Sequence, residues 1–345
     1  MKVLLIGGTG FMGPSTAFYL QRGGHSVTIF HRGKTAAPQG ADEIIGDHHR
    51  LKEHRAEFER SGFDVVVDFI LSSGPQAKEL TRTFRGITNR AVAISSMDVY
   101  RAMGVIHGTE PGPLQELPLT EDSAVRTQQN TYSAEAMKKV KEIYPWADDQ
   151  YDKIPVEQAV LEDCDLYGTV LRLPMVYGPG DPLHRFHAVL KRMDDGRKQI
   201  IFSDGFAAFR SPRGFVNNVG AAIALAATSE QAAGRVYNIC EEESFSELEW
   251  SKKIADAVGW KGEFIVLPHE QTPKHLLQAG NTAQHLAASS ERIRRELGYR
   301  EPIGSEEAMR RTIEWERAHQ PAAPLVMPFN YAEEDAALAQ LKASA

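Results

Sequence analysis

The stretch Lys2 to Gly13 (KVLLIGGTGFMG) constrains the fold more than any other part of the chain. Val3-Leu4-Leu5-Ile6 is an apolar, partly β-branched run, long enough for a buried strand and too short for a helix. It stops at Gly7-Gly8-Thr9-Gly10-Phe11-Met12-Gly13, and Pro14 opens a helical pattern. Glycines in such a turn allow positive φ and leave no Cβ between main-chain amides and a ligand. Amides at a helix N-terminus, backed by the positive end of the dipole, suit a pyrophosphate. Strand, glycine turn and helix in that order form a dinucleotide fingerprint. The plainer alternative is a tight strand–helix turn without a ligand.

The helix runs to Arg22 and Gly23-Gly24, and Ser26 to Phe30 is the second strand, completing a βαβ unit. The residues after that strand bear on the cofactor. A ribose with free hydroxyls is usually held there by an acid, and a 2′-phosphate by a cation. This chain has His31-Arg32-Gly33-Lys34 and no acid. Arg32 offers a planar fork and Lys34 a point charge, so NADP(H) is the expected cofactor and NAD(H) the second choice.

Brief or buried strands are expected at Ala41–Gly46, Phe63–Leu71, Ala91–Ser96 and Gly168–Leu173, with helices at Leu51–Arg60, Ser72–Arg85 and Pro155–Leu161. This alternation predicts an α/β, Rossmann-like doubly wound parallel sheet. Ligands in such sheets sit beyond the carboxyl ends of the strands, where Gly7, Arg32, Asp47, Phe69 and Ser96 all fall. Arg101 to Asn130 reads as a long loop and Thr131 to Val140 as a short helix. After Leu183 the alternation becomes irregular, which predicts a smaller C-terminal α+β substrate lobe. The expected organisation is residues 1–182 as the dinucleotide domain, with strands in 213–240 returning to it. Residues 183–320 are then mainly the lobe, and 321–345 a proline-punctuated linker and terminal helix. Ser246 and Glu249 match a capping box for a helix to Val258.

The totals bound partners. A net charge of −7 gives no reason to expect nucleic acid, and no apolar run approaches a membrane span. Cys164 and Cys240 have no metal-like spacing. His48-His49, His184 and His187 lack a carboxylate or cysteine at ligand spacing, so they read as solvated side chains and no metal is expected. Glu241-Glu242-Glu243 reads as a solvated loop. A cytoplasmic location is the expectation.

Several stretches together resemble the extended short-chain dehydrogenase/reductase family, in its nucleotide-sugar epimerase and dehydratase branch. They are GGTGFMG at 7–13, GDHH at 46–49, SSMDVY at 95–100, LRLPMVYGPGD at 171–181, RGFVNNV at 213–219 and VYNI at 236–239. The resemblance implies that Gly7, Gly10, Phe11, Met12 and Gly13 hold the pyrophosphate and that Asp47 and His48 lie beside the adenine. It implies that Phe69, Ile70 and Leu71 pass the riboses, that Pro174 contacts the nicotinamide and that Arg213 binds the diphosphate of a nucleotide sugar. Ser96 matches the hydroxyl residue that bonds the reacting oxygen. A homodimer is compatible with the family.

The family's chemistry rests on a tyrosine with a lysine four residues later, which share one helix face. The lysine lowers the phenol's pKa, so that it can serve as acid or base. The best match, Tyr151, has Pro155 in the lysine's place. Lys153 stands closer, but within a helix it would point roughly 200° away from the tyrosine. It can serve only if the helix begins near Pro155. The competing tyrosine, Tyr132, has Ala136 at that position. The residues and the resemblance together predict an NADP(H)-dependent oxidoreductase, epimerase or dehydratase acting on a hydroxyl or carbonyl of a small polar substrate, with Ser96 and Tyr151 holding the reacting oxygen and Lys153 as the candidate substitute for the family lysine. The alternative is a catalytically impaired NADP(H)-binding sensor or interaction protein on the same scaffold.

Overall fold

The computed structural model describes residues 1–129, 132–324 and 326–344. Its first half runs β1 (Lys2–Ile6), α1 (Gly13–Arg22), β2 (Ser26–His31), β3 (Asp42–Ile45), α2 (Arg55–Ser61), β4 (Val65–Asp68), α3 (Gly74–Phe84), β5 (Arg90–Ser96), α4 (Arg101–His107), α5 (Ala134–Ile143), α6 (Lys153–Leu161) and β6 (Tyr167–Leu173). The rest is β7 (Met175–Tyr177), α7 (His187–Asp194), β8 (Gln199–Ser203), α8 (Asp204–Ala208), β9 (Arg213–Phe215), α9 (Val216–Thr228), β10 (Val236–Asn238), α10 (Glu247–Val258), β11 (Glu263–Leu267), α11 (Glu291–Leu297), α12 (Ser305–Ala318) and α13 (Tyr331–Ser344).

Seven strands form one sheet in the order β10-β6-β5-β4-β1-β2-β3. Every neighbouring pair is parallel, with Ile6 opposite both Phe30 and Asp68, and Ser96 opposite Leu173. This is the expected Rossmann-like α/β sheet. Its continuous apolar strands follow from cover on both faces. Val3, Leu5, Val65 and Val67 point into one core with Ala17 of α1 and Ile223 of α9. Leu4, Ile6 and Val66 point into the other, with Leu80 of α3 and Val156 and Val160 of α6.

Several elements differ from the sequence expectation. β4 ends at Asp68 rather than Leu71, because the Asp68 carboxylate takes the Ile70 amide at 2.8 Å and turns the chain. Part of the expected loop from Arg101 is helical: α4, ended by Gly108 in the left-handed region. The expected turn at Val176 contains β7, which pairs with β9 apart from the large sheet, whereas β10 joins that sheet's edge. β11 pairs with β8, and α12 follows; neither was expected. α6 starts at Lys153, two residues before Pro155, because the Asp152 side chain caps the Ile154 amide. The capping box at Ser246 and Glu249 is present. Thr131 and Asn130, at the edges of an expected helix and loop, lie outside the described residues. Among the described residues no helix is long and apolar enough to cross a membrane.

Candidate active site

The glycine turn is closed from within. Gly7, at φ 76°, donates its amide to Phe30 O at 3.0 Å, and the Gly10 amide reaches Gly7 O at 3.2 Å. A Cβ on Gly13 would fall 2.0 Å from Gly8 O, so no larger residue fits where the turn enters α1. Gly7, Thr9 and Gly10 line a cavity of about 200 Å³ with Arg32, Lys34 and Asp47. Arg32 and Lys34 are exposed, and among the described residues neither has an ion-pair partner. Phe11 and Met12 pack against the core and Gly13 is buried, so their part is to shape the turn.

At the next strand ends Asp47 accepts the His49 amide at 3.0 Å. His48 is buried, Nε2 3.0 Å from Asp68 Oδ2, with Nδ1 unpartnered. Burial opposes its charge, but Asp68, Asp47 and Asp148 outweigh that and raise its pKa. His187 is buried too, and His184 Nδ1 sits 2.8 Å from Glu316. These placements correct the reading of His48, His184 and His187 as solvated, since their imidazoles take up carboxylates or aromatic faces, whereas His49 is exposed as expected. Among the described residues no cluster of side chains could hold a metal. Glu241 likewise is half-buried and accepts the Tyr177 hydroxyl at 2.8 Å, while Glu242 and Glu243 are exposed. Ile70 lines the cavity, Phe69 is buried, and the Leu71 carbonyl faces inward to Lys153.

Lys153 reaches the carboxyl ends of β4 and β5 beside Tyr151, and Ser96 is the last residue of β5. Ser96 accepts the Asp98 amide at 3.2 Å, while its neighbour Ser95 donates to Glu157 at 2.6 Å. Lys153 is the first residue of α6, and Tyr151 lies outside that helix. The unfavourable spacing therefore does not apply, and the ammonium lies 5.8 Å from the Tyr151 ring centre. Lys153 Nζ donates to the carbonyls of Leu71 and, at 3.1 Å, Ile94. Pro155 packs on Gly74, whose Cβ would fall 2.8 Å from the proline Cβ, so the residue replacing the family lysine seats α6 on α3. Glu157, one turn beyond Lys153, pairs with Arg172 of β6 at 2.7 Å and fixes the helix against the sheet.

Electrostatics separate the two groups. Burial pulls Lys153 down to about 8 against the opposing pull of Asp98, Asp68 and Glu157. Burial, then Asp98 and Tyr132, push Tyr151 well above the usual tyrosine value, so it holds its proton and can donate it in a hydrogen bond. Sequence reasoning passed over Asp98, Arg126 and Trp146. Asp98 is buried, accepts from Tyr132 at 3.2 Å and keeps Oδ1 unpartnered. Arg126 donates to Asp98 O and pairs with Asp152. An acid two residues after Ser96 was the available signal for Asp98; a lone tryptophan in a polar stretch carries none.

Two carried-over residues sit apart from the cavity. Pro174 packs between β7 and β9, its Cγ 3.1 Å from where a Gly214 Cβ would lie. Arg213 is buried, paired with Glu247 at 2.6 Å and 4.7 Å from the Trp250 ring centre, with Nη1 unpartnered.

A family model, the NAD dependent epimerase/dehydratase family, matches residues 3–240. The chain belongs to this family. Among relatives of this epimerase/dehydratase chain, UDP-glucose 4-epimerase of Corynebacterium glutamicum is 25% identical, over 87% of this chain and 90% of its own length. The chloroplast stem-loop binding protein of 41 kDa b of Arabidopsis thaliana is also 25% identical, over 87% and 75%. The fold is shared with UDP-glucuronic acid 4-epimerase from Bacillus cereus, solved with UDP-glucuronic acid and NAD, at a TM-score of 0.64, 16% identity, and coverage of 92% of this chain and 99% of that one. In this chain Tyr151 precedes α6 and Lys153 opens it.

Proposed function

We propose that the chain is an NADP(H)-dependent oxidoreductase of the epimerase/dehydratase kind, acting on a hydroxyl or carbonyl of a nucleotide sugar. The observation that carries this reading is the buried Lys153 ammonium at the carboxyl ends of β4 and β5, beside Tyr151 and Ser96. The cleft fits a dinucleotide chemically: a glycine turn with no room for a Cβ, an unpartnered His48 Nδ1 and two free cations. The nicotinamide ring supplies a hydride donor or acceptor when bound.

The chain's own residues do the rest. Gly7 and Gly10 let the pyrophosphate approach the backbone at the start of α1, Asp47 and His48 flank the adenine, and Arg32 and Lys34 meet the 2′-phosphate. Lys153 holds the nicotinamide ribose and is the group whose charge changes near neutral pH. Tyr151 and Ser96 donate hydrogen bonds to the reacting oxygen. The unpartnered Nη1 of Arg213 is the atom assigned to the substrate diphosphate. Nucleic acid stays outside its partners on charge; one relative's name makes a gel-shift with a stem-loop RNA the direct check.

Incubation with NADP⁺ or NAD⁺ and a panel of UDP- and dTDP-sugars, followed by chromatography of the sugars, tests the reading. Product is expected, and Tyr151→Phe should lower it by about tenfold to a hundredfold. Product formation indifferent to both Tyr151→Phe and Lys153→Met would overturn the assignment. The raised pKa of Tyr151 favours a second reading, a cofactor-binding sensor. Tight cofactor binding without turnover across the panel would select it.

A further inference from the structure

Tyr144 to Asp152 forms a strap from the end of α5 to the cap of α6, and it crosses the cleft. On the sheet side the Asp148 amide donates to Ser72 Oγ at 3.1 Å and the Asp152 amide to Ser72 O at 2.9 Å. On the other side Tyr144 lies near the charge of Arg185, which is itself held by Asp181 and by the Val176 carbonyl. Between these anchors Trp146 lines the cavity with Gly7, Gly10 and Ile70, and its ring centre lies 5.3 Å from Lys153 Nζ.

Shape decides what this arrangement admits. The cavity, about 200 Å³, opens to solvent where the exposed Arg32 and Lys34 line it, so an adenosine phosphate can extend outward there, whereas Trp146 bounds it on the side of Lys153. The lining comes from the glycine turn and from the ends of β2, β3 and β4, and it stops at Ile70 and Trp146. Ser96, Tyr151, Lys153 and Pro174 take no part in it. The indole therefore stands between the glycine turn, with which it shares the cavity, and the lysine ammonium, on the path that the nicotinamide half takes in the proposed reading.

Resting on the reading of this cleft as the NADP(H) site, we propose that Trp146 determines which nucleotide the cleft accepts. With the strap closed, the protein takes an adenosine phosphate alone, and the complete dinucleotide enters only when the strap swings Trp146 outward. The ammonium–indole contact and the two anchors hold the closed form. The apparent dissociation constant for the dinucleotide is then the intrinsic one divided by the open fraction, while that for its adenosine half is unchanged.

The test is calorimetric titration of the full chain and its Trp146→Ala variant with adenosine 2′,5′-bisphosphate and with NADP⁺. Removing the indole should strengthen NADP⁺ binding by about fivefold or more and leave the bisphosphate within about twofold. Ser72→Ala, which loosens one anchor and leaves the tryptophan in place, should shift NADP⁺ in the same direction by less, and it carries the test if Trp146→Ala fails to fold. Weaker or unchanged NADP⁺ binding in the folded variants, or an equal shift for both ligands, would overturn the gate and leave the NADP(H) reading standing. Wild-type protein that binds neither ligand would overturn the NADP(H) reading itself, and the gate with it.

Discussion

At the adenosine end of the cleft Arg32 and Lys34 stand in solvent beside backbone amides; at the other end Lys153, Asp98 and Arg126 are sealed among strand ends and aromatic rings. The first end recognises by main-chain geometry and by charges that cost little to keep hydrated. The second keeps an ammonium out of water, which costs several kcal/mol unless carbonyls and acids compensate. Here they compensate in part: two carbonyls accept from Lys153, yet its pKa still falls to about 8. An exposed end tolerates change and tunes selectivity, whereas a sealed end couples chemistry to stability.

Lys153→Met should break that contrast most visibly. Turnover of any accepted nucleotide sugar should fall by about 10²–10⁴-fold, while the affinity for adenosine 2′,5′-bisphosphate stays unchanged. A parallel loss at both ends would show that the two halves are not separable. The same residue should tie stability to pH. Its pKa is lowered from 10.5 to about 8, so between those values the unfolded chain binds the extra proton and the folded chain does not. Stability contributed through this group therefore rises with pH across that window, and the burial penalty is fully present below pH 8. Relative to Lys153→Met, the wild type should gain up to about 3 kcal/mol between pH 7.5 and pH 10.5. Urea unfolding of both proteins at the two pH values measures it. A constant difference would mean that Lys153 keeps an ordinary pKa.

The contrast also explains what could be read from the chain. Val3 to Gly13 was legible because a buried parallel strand and a φ-positive glycine turn leave local marks. The doubly wound, parallel character of the sheet followed from alternation, and the family motifs pointed to the strand-end residues. The helix start at Lys153 was not legible, since it depends on Asp152 as the cap and on Pro155 seating against Gly74 of α3, far away in sequence. The histidines were misread for a related reason. Their partners, Asp68 and Glu316, are tertiary neighbours that no spacing rule reaches. Asp98 and Trp146 matter through packing across the cleft, and α12 and β11 take their places from the lobe they complete.

The smallest effect expected is at Arg32, and it tests the exposed end directly. The guanidinium lies in the cavity wall but is exposed, so its attraction to a 2′-phosphate is screened by water and salt. A charge-assisted bond in such a place contributes about 1 kcal/mol rather than the several that a sealed pair can reach. Arg32→Ala should therefore weaken NADPH binding by about threefold to tenfold at low salt and leave NADH binding within error. Because Lys34 shares the wall, some preference for NADPH should survive until both cations are removed. Raising the ionic strength toward 0.5 M should erase most of the difference between wild type and variant, since the screening length then falls to a few ångström. Equal losses for NADPH and NADH, or a difference that salt does not touch, would place Arg32 in the turn's architecture instead of in phosphate recognition.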